Sequence, residues 1–285
     1  MSFLSPREIT AKIVDIGEAK SKLSIPDLLV LGVLAGVYIG FAAHLATVIL
    51  TGDCAYLGFK KFMGGAVFSV GLMLVVIPGA ELFTGNNLMT AALCSRRISV
   101  KGMLRNWTAV YVANFIGSIA LAFLIARGTG LLAGDFGGTA LRIADAKLNA
   151  TPGGVNHWTA YFCRAIVCNW LVCLAVMMAV AADSIEGKVW GIFFPIMAFV
   201  AAGFEHSVAN MYFIPAGIFA LGFEGAVSAS GLSPEALASL NWGAMWTQNL
   251  IPVTLGNIVG GGIFTGVAYW YLHARKPYDR QPPAR

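Results

Sequence analysis

Hydrophobic residues in this chain do not alternate with polar ones; they gather in long blocks. Leu28–Leu50, Asn106–Ala126, Ala165–Ala182 and Ala244–Leu272 contain no Asp, Glu, Lys or Arg. Each is long enough for a helix to cross the hydrocarbon core of a bilayer, which takes about 17–25 residues. Two further blocks, Phe62–Cys94 and Val189–Phe223, hold one acid each, Glu81 and Glu205. Both are too long for one straight crossing, and both carry helix-breaking sequence near the middle. In the first this is Pro78-Gly79 followed by Thr84-Gly85-Asn86-Asn87; in the second it is Gly203 to Asn210. The pattern predicts an all-α membrane protein with six transmembrane helices, of which helices 2 and 5 are broken.

The two breaks share one motif. Gly79 and Gly203 are each followed two residues on by a Glu, then five further by an Asn, Asn86 and Asn210. A carboxylate at that depth is costly and marks a functional site by default. Spans 3 and 6 repeat a second spacing, Asn106-Asn114-Gly117 and Asn249-Asn257-Gly260. Together these predict two inverted three-helix repeats, spans 1–3 and 4–6, whose discontinuous helices meet near the midplane. Broken backbone is tolerated there only if it is buried in protein or lines a cavity. The symmetry points to a pathway across the membrane and away from an enzyme. Half-helix N-termini present free N–H groups to an anion. Glu81 and Glu205, with Gly79 and Gly203, are expected to brace the breaks by accepting loop N–H bonds. His206 is the one histidine deep in a span and sits on a break, with Asn169 in the otherwise apolar span 4. A satisfied core histidine is the plainer alternative; the break and the symmetry favour a pathway role.

The flanks complete the plan. Ser5-Pro6-Arg7-Glu8 reads as a capping box, and Ile9, Ile13 and Ile16 follow at helical spacing. Residues 1–26 are therefore a cytoplasmic amphipathic helix, an anchor at the membrane edge or a plug under a pore. Residues 27–274 form one six-helix domain, and 275–285 a charged, disordered cytoplasmic tail. Residues 127–156, rich in glycine, are predicted to be a non-helical outer segment. No apolar leader precedes the first span.

Composition agrees: 58% of residues are hydrophobic and 12% charged, which excludes an ordinary soluble domain. The net charge of +5 does not call for nucleic acid, because the basic residues follow topology. With both termini cytoplasmic, 13 of the 19 Lys and Arg residues lie inside, as an inner-membrane protein requires. The five cysteines are odd in number and form no disulfide framework. Cys163, Cys168 and Cys173 turn about 140° per step on a helix, so they share no face for a metal.

At this point Gly79-Ala80-Glu81-Leu82-Phe83-Thr84-Gly85, Asn169-Trp170-Leu171-Val172-Cys173, Gly203-Phe204-Glu205-His206-Ser207-Val208-Ala209-Asn210-Met211 and Gly256-Asn257-Ile258-Val259-Gly260-Gly261 resemble the formate/nitrite transporters. The resemblance covers nearly the whole chain. It implies an aquaporin-like protomer, a homopentamer with one pore per protomer, and no cofactor. His206 is similar to the family's central pore histidine and Thr84 to the threonine opposite it. Leu82 and Phe68 resemble inner constriction residues, Leu72 and Phe199 outer ones. Asn169 and Asn257 resemble polar groups of the central chamber, and Lys147 the outer-vestibule lysine. The substrate expected is a small monovalent anion moving with protons. Gly203 to His206 with Ile214-Pro215 is formate-like; Glu81 to Gly85 and Cys168 to Cys173 are more nitrite-like, and hydrosulfide is a third candidate. Two other classes compete: a haem-carrying membrane subunit, which needs paired axial ligands where His206 has only His44 near an edge, and a neutral-solute channel.

Overall fold

Local capping signals set where the helices begin. In the computed structural model, which describes residues 3–275, helix α1 (Pro6–Lys22) starts at Ser5. Ser5 Oγ accepts the Glu8 N–H at 3.4 Å, and the Glu8 carboxylate accepts the Ser5 N–H at 2.8 Å. These bonds complete the capping box and hold the Glu8 carboxyl below its usual range. Ser24, Ser99, Asn156 and Ser184 cap later helices by accepting one first-turn N–H each.

The long helices are α2 (Ile25–Ile49) and α3 (Leu57–Val76). The chain then breaks and resumes as two short helices, α4 (Phe83–Asn86) and α5 (Met89–Cys94). Helix α6 (Val100–Gly128) follows, then α7 (Asp135–Asn149) and α8 (His157–Ala181). Helix α9 (Ile185–Ala201) stops at a second break and α10 (Ser207–Ala220) continues. Two short helices, α11 (Glu224–Ser230) and α12 (Pro234–Ser239), lead to α13 (Trp242–Ala274). Among the described residues five helices, α2, α3, α6, α8 and α13, are long and apolar enough to cross a membrane; α10 and α11, bent by 112°, make a sixth if counted together. Gly79 (φ 94°) and Gly203 (φ 77°) turn the chain at the two breaks, in the left-handed region that favours glycine.

Packing within a bilayer depends on close backbone approach. A Cβ at Gly36 would lie 2.2 Å from the Asn114 carbonyl oxygen, and one at Gly117 2.1 Å from that of Val33. This clamps α2 to α6. A Cβ at Gly260 would lie 2.0 Å from the Ile166 oxygen, which clamps α13 to α8 in the same manner. Outward faces carry exposed apolar side chains such as Val30, Ile116, Trp190 and Ile263, suited to contact with lipid tails.

Residues 127–156 are not the irregular segment their glycines predict. Asp135–Asn149 is a 15-residue helix. It buries Leu141, Ala144 and Leu148 at helical spacing. Its glycines serve close contact rather than flexibility: a Cβ at Gly138 would lie 2.8 Å from the Ala229 carbonyl carbon. The tail beyond Arg275 lies outside the described residues.

Candidate functional site

Each break is held by the same set of bonds. At the first, Asn114 Oδ1 accepts the Phe83 N–H at 2.9 Å, while its Nδ2 donates to the carbonyls of Gly32 (2.7 Å) and Glu81 (2.9 Å). At the second, Asn257 Oδ1 accepts the Ser207 N–H at 2.9 Å, while its Nδ2 donates to Ala165 (2.8 Å) and Glu205 (2.9 Å). One amide on a long helix thus satisfies two backbone groups freed by the break and ties them to a carbonyl of α2 or α8. Asn257 is engaged as a bracket and does not present a free polar group to a chamber.

The acids are braced by side chains, not by loop N–H groups as expected. Glu81 accepts from Lys20 and, at 2.7 Å, from Asn86, which also donates to Asn106. Asn106 returns to the Lys20 carbonyl at 3.3 Å. Glu205 accepts from Lys147 at 3.0 Å and from Asn210 at 2.7 Å. Asn210 also donates to Asn249, and Asn249 returns to the Lys147 carbonyl at 3.0 Å. Lys147 is therefore not a free vestibule charge. Its partner is a buried carboxylate, and its ammonium lies 5.4 Å over the Phe213 ring. A buried charge persists only when paired and hydrogen-bonded, and these networks meet both conditions. Lys20 was missed by sequence reasoning. The usable signal is that α1 precedes the first half of the chain as α7 precedes the second.

Between the breaks sit Thr84 and His206, both buried. Thr84 Oγ1 lies 2.9 Å from His206 Nε2. His206 Nδ1 accepts the Ala209 N–H at 3.0 Å and so caps α10. With the Nδ1 lone pair committed, a neutral imidazole carries its proton on Nε2 and donates it to Thr84. Asn169 Nδ2 donates to the carbonyls of Thr84 (3.1 Å) and Asn257 (2.8 Å), and its Oδ1 is buried without a partner. Cys173 Sγ also donates to the Thr84 carbonyl. The cysteines serve packing here: Cys168 and Cys173 are buried and free.

Apolar groups bound this centre on both sides, in a grouping that differs from the expected one. The Phe199 ring stacks on His206 at 5.8 Å, and Phe68 meets Phe199 edge-on at 5.8 Å. Leu72 instead joins Leu82 in the wall of a 460 Å³ cavity on the α1 side, with Ile13, Gly17, Lys20 and Glu81. Phe68 thus pairs with Phe199 and Leu72 with Leu82. On the α7 side a 340 Å³ cavity is lined by Lys60, Lys61, Arg142, Gly64 and Val200. These three cations were also missed as a group; Lys60-Lys61 standing two turns before Phe68 was the signal.

A helical membrane protein, with one buried polar centre held between two helix breaks and flanked by apolar side chains and two cavities, belongs to the class of membrane transport proteins. The model of the formate/nitrite transporter family matches residues 7–271, and this chain belongs to that family. It is 44% identical to a probable formate transporter of Methanothermobacter thermautotrophicus, over 96% of this chain and 99% of the relative. It is 37% identical to the formate channel FocA of Escherichia coli strain K12, over 86% of each. A solved pentameric formate channel with formate bound superposes with a TM-score of 0.78 at 40% identity, covering 87% of this chain and 97% of that one.

Proposed function

We propose that this protein is a channel for small monovalent weak-acid anions, formate first, which moves them together with protons through the Thr84–His206 centre. It works as a homopentamer in the inner membrane with both termini cytoplasmic. Its two halves are inverted three-helix copies in an aquaporin-like protomer; the matched Asn114 and Asn257 brackets support that reading. Formate is favoured over nitrite and hydrosulfide by the names of the relatives above.

The single observation that carries the mechanism is the 2.9 Å contact between Thr84 and His206, enclosed by apolar groups. An unpaired ion in a low-dielectric gap costs at least several kcal/mol. A formate anion cannot pass the Phe68–Phe199 or the Leu72–Leu82 gate without help. At the centre it takes the place of Thr84 as acceptor for His206 Nε2–H, and the Thr84 hydroxyl becomes a second donor. The start of α10 adds partial positive charge. His206 has one proton to offer, because Nδ1 is held by Ala209 N–H. Giving that proton away would leave an anionic ring. The neutralising proton therefore arrives through water, and His206 orients the acid that forms. The neutral acid then crosses the second gate.

The test is uptake into liposomes. His206→Phe is expected to abolish formate-driven proton uptake; undiminished coupling in that variant overturns the proposal. A panel of formate, nitrite, hydrosulfide and glycerol ranks the substrates and separates an anion pathway from a neutral-solute channel. An absorption spectrum of the purified protein decides the haem alternative.

A further inference from the structure

Helix α8 begins at His157, and both ring nitrogens of this residue face a backbone carbonyl. Nδ1 lies 2.8 Å from the oxygen of Ala150, just past the end of α7, and Nε2 lies 2.8 Å from that of Gln248 on α13. A carbonyl only accepts. A neutral imidazole has one N–H and one lone pair, so it serves one of these oxygens and turns a lone pair toward the other. The imidazolium donates to both. The ring stacks on Tyr161 at 4.1 Å and is half-buried, so water reaches it. The charged groups of the neighbouring elements are engaged elsewhere. Arg164 of α8 lies 5.4 Å over the Tyr161 ring, Asp145 of α7 accepts from Asn149 at 2.7 Å, and Lys147 is paired with Glu205. Helix α13 brings none, since Ala244–Leu272 holds no Asp, Glu, Lys or Arg.

The other half of the chain shows what this position is for. Ala150 stands three residues after Lys147, as Leu23 stands three after Lys20. Gln248 immediately precedes Asn249, as Arg105 precedes Asn106. On the α1 side Arg105 donates to the carbonyls of Leu23 and Ser21, so a permanent cation ties the turn after α1 to α6. On the α7 side the matching tie, from Ala150 to α13, runs through the His157 ring. We propose that His157 is a proton-binding latch: with a proton on each nitrogen it joins the end of α7 to α13 across the Lys147–Glu205 bracket, and loss of one proton opens one of the two joints. Histidine side chains ordinarily titrate near pH 6.5. The double joint exists only in the protonated ring, so it is present below that range and is lost as pH rises through it. Asn249 donates to the Lys147 carbonyl at 3.0 Å, which places the latch directly on that bracket. One side of the frame is thus fastened at every pH and the other only in acid. The proposal does not rest on what the channel carries.

Hydrogen exchange of the full-length protein in lipid nanodiscs tests it, at about pH 5.5 and about pH 8, on either side of the ordinary histidine range. Protection factors, corrected for the intrinsic pH dependence of exchange, are read at residues 147–157 and 245–250. In wild type, protection there is expected to fall about ten-fold or more as pH rises, as loss of a hydrogen bond from a charged donor does. Residues 20–25 and 103–106, fastened by Arg105, should keep theirs. His157→Gln has a single amide donor and takes up no proton, so its protection should stay at the wild-type high-pH level at both values. Wild-type protection that is the same at both pH values overturns the proposal, and that arm needs no variant. An equal fall at the Arg105 side, or a His157→Gln protein with the wild-type pH dependence, overturns it too.

Discussion

The two breaks are wired alike and differ where it matters. At the α1-side break, Lys20, Glu81, Asn86, Asn106 and Asn114 form the bracket; at the α7-side break, Lys147, Glu205, Asn210, Asn249 and Asn257 do so, with matching bonds except that Lys20 also donates to Asn86 Oδ1 at 2.9 Å while Asn210 Oδ1 is buried without a partner. The residue after the acid is Leu82 in one and His206 in the other. Two residues further on, Thr84 stands against Val208. The repeated residues build and hold the breaks, while the residues that break the repeat meet each other, Thr84 to His206 at 2.9 Å. The proposed function places the chemistry where the two breaks differ. The brackets also differ in enclosure: the Lys20 side chain keeps 23% of its surface exposed and Lys147 15%.

The largest effect is expected from opening the tighter bracket. Lys147→Ala leaves Glu205 buried and uncompensated, a loss of about 3–5 kcal/mol. Lys20→Ala should cost less, because Lys20 is the more exposed of the two lysines. Thermal unfolding in detergent ranks the two, and an equal or reversed order breaks the contrast in enclosure. The paired variant Lys147→Met with Glu205→Met should recover much of the loss, since it leaves no unpaired charge.

Next come the bracket amides. Asn257→Ala and Asn114→Ala each strand a buried N–H and a carbonyl at the break, at about 1–3 kcal/mol for each group left unsatisfied. Similar losses in both are predicted, because the bonds match. A large effect at only one of them would show that the repeated frame is not mechanically symmetric.

His206→Asn sharpens the functional side of the comparison. Asn is a good N-cap and offers a donor, but it cannot take up a proton near neutral pH. The stability of α10 should be nearly retained, and formate flux should fall by less than in His206→Phe. Collapse of both to the same residual rate would mean that the imidazole itself carries the proton.

The smallest effect lies at the start of α1. The Ser5 bonds depress the Glu8 carboxyl below its ordinary value near 4.5. Its contribution to the cap is therefore present above that value and is lost as pH falls through the lower, folded-state value. Hydrogen exchange at the first turn of α1 should speed up only in that acid range. Fraying at neutral pH would contradict it.

Much of this was legible from residues alone. Long uncharged blocks, Pro78-Gly79, and the shared spacing of Glu81-Asn86 and Glu205-Asn210 marked the long apolar helices, both breaks and the pathway candidate His206, whereas Thr84 came from the family resemblance. Helix α7 was not legible, because Gly134, Gly137 and Gly138 look like breakers until α11 packs against Gly137 and Gly138. The lysine partners were hidden for another reason: Lys20 and Lys147 lie 61 and 58 residues from their acids, and no local pattern encodes such pairing. Phe68 and Leu72 sit one turn apart on α3, so periodicity puts both on one face but does not say which apolar group each joins. Chain direction could have told: Phe68 is nearer the end of α3 that carries Lys60 and Lys61.

The central claim is that the symmetric frame is structural and that transport chemistry resides at the asymmetric pair. It is tested most directly by initial rates of formate-driven proton uptake in liposomes holding wild type, His206→Phe or Asn114→Ala at equal amounts of folded protein. The account predicts that His206→Phe lowers the rate by about 100-fold or more, as loss of a preorganised hydrogen-bond donor does, while Asn114→Ala, once folded, stays within a few-fold of wild type. Full coupling in His206→Phe, or an equal collapse in folded Asn114→Ala, would contradict it.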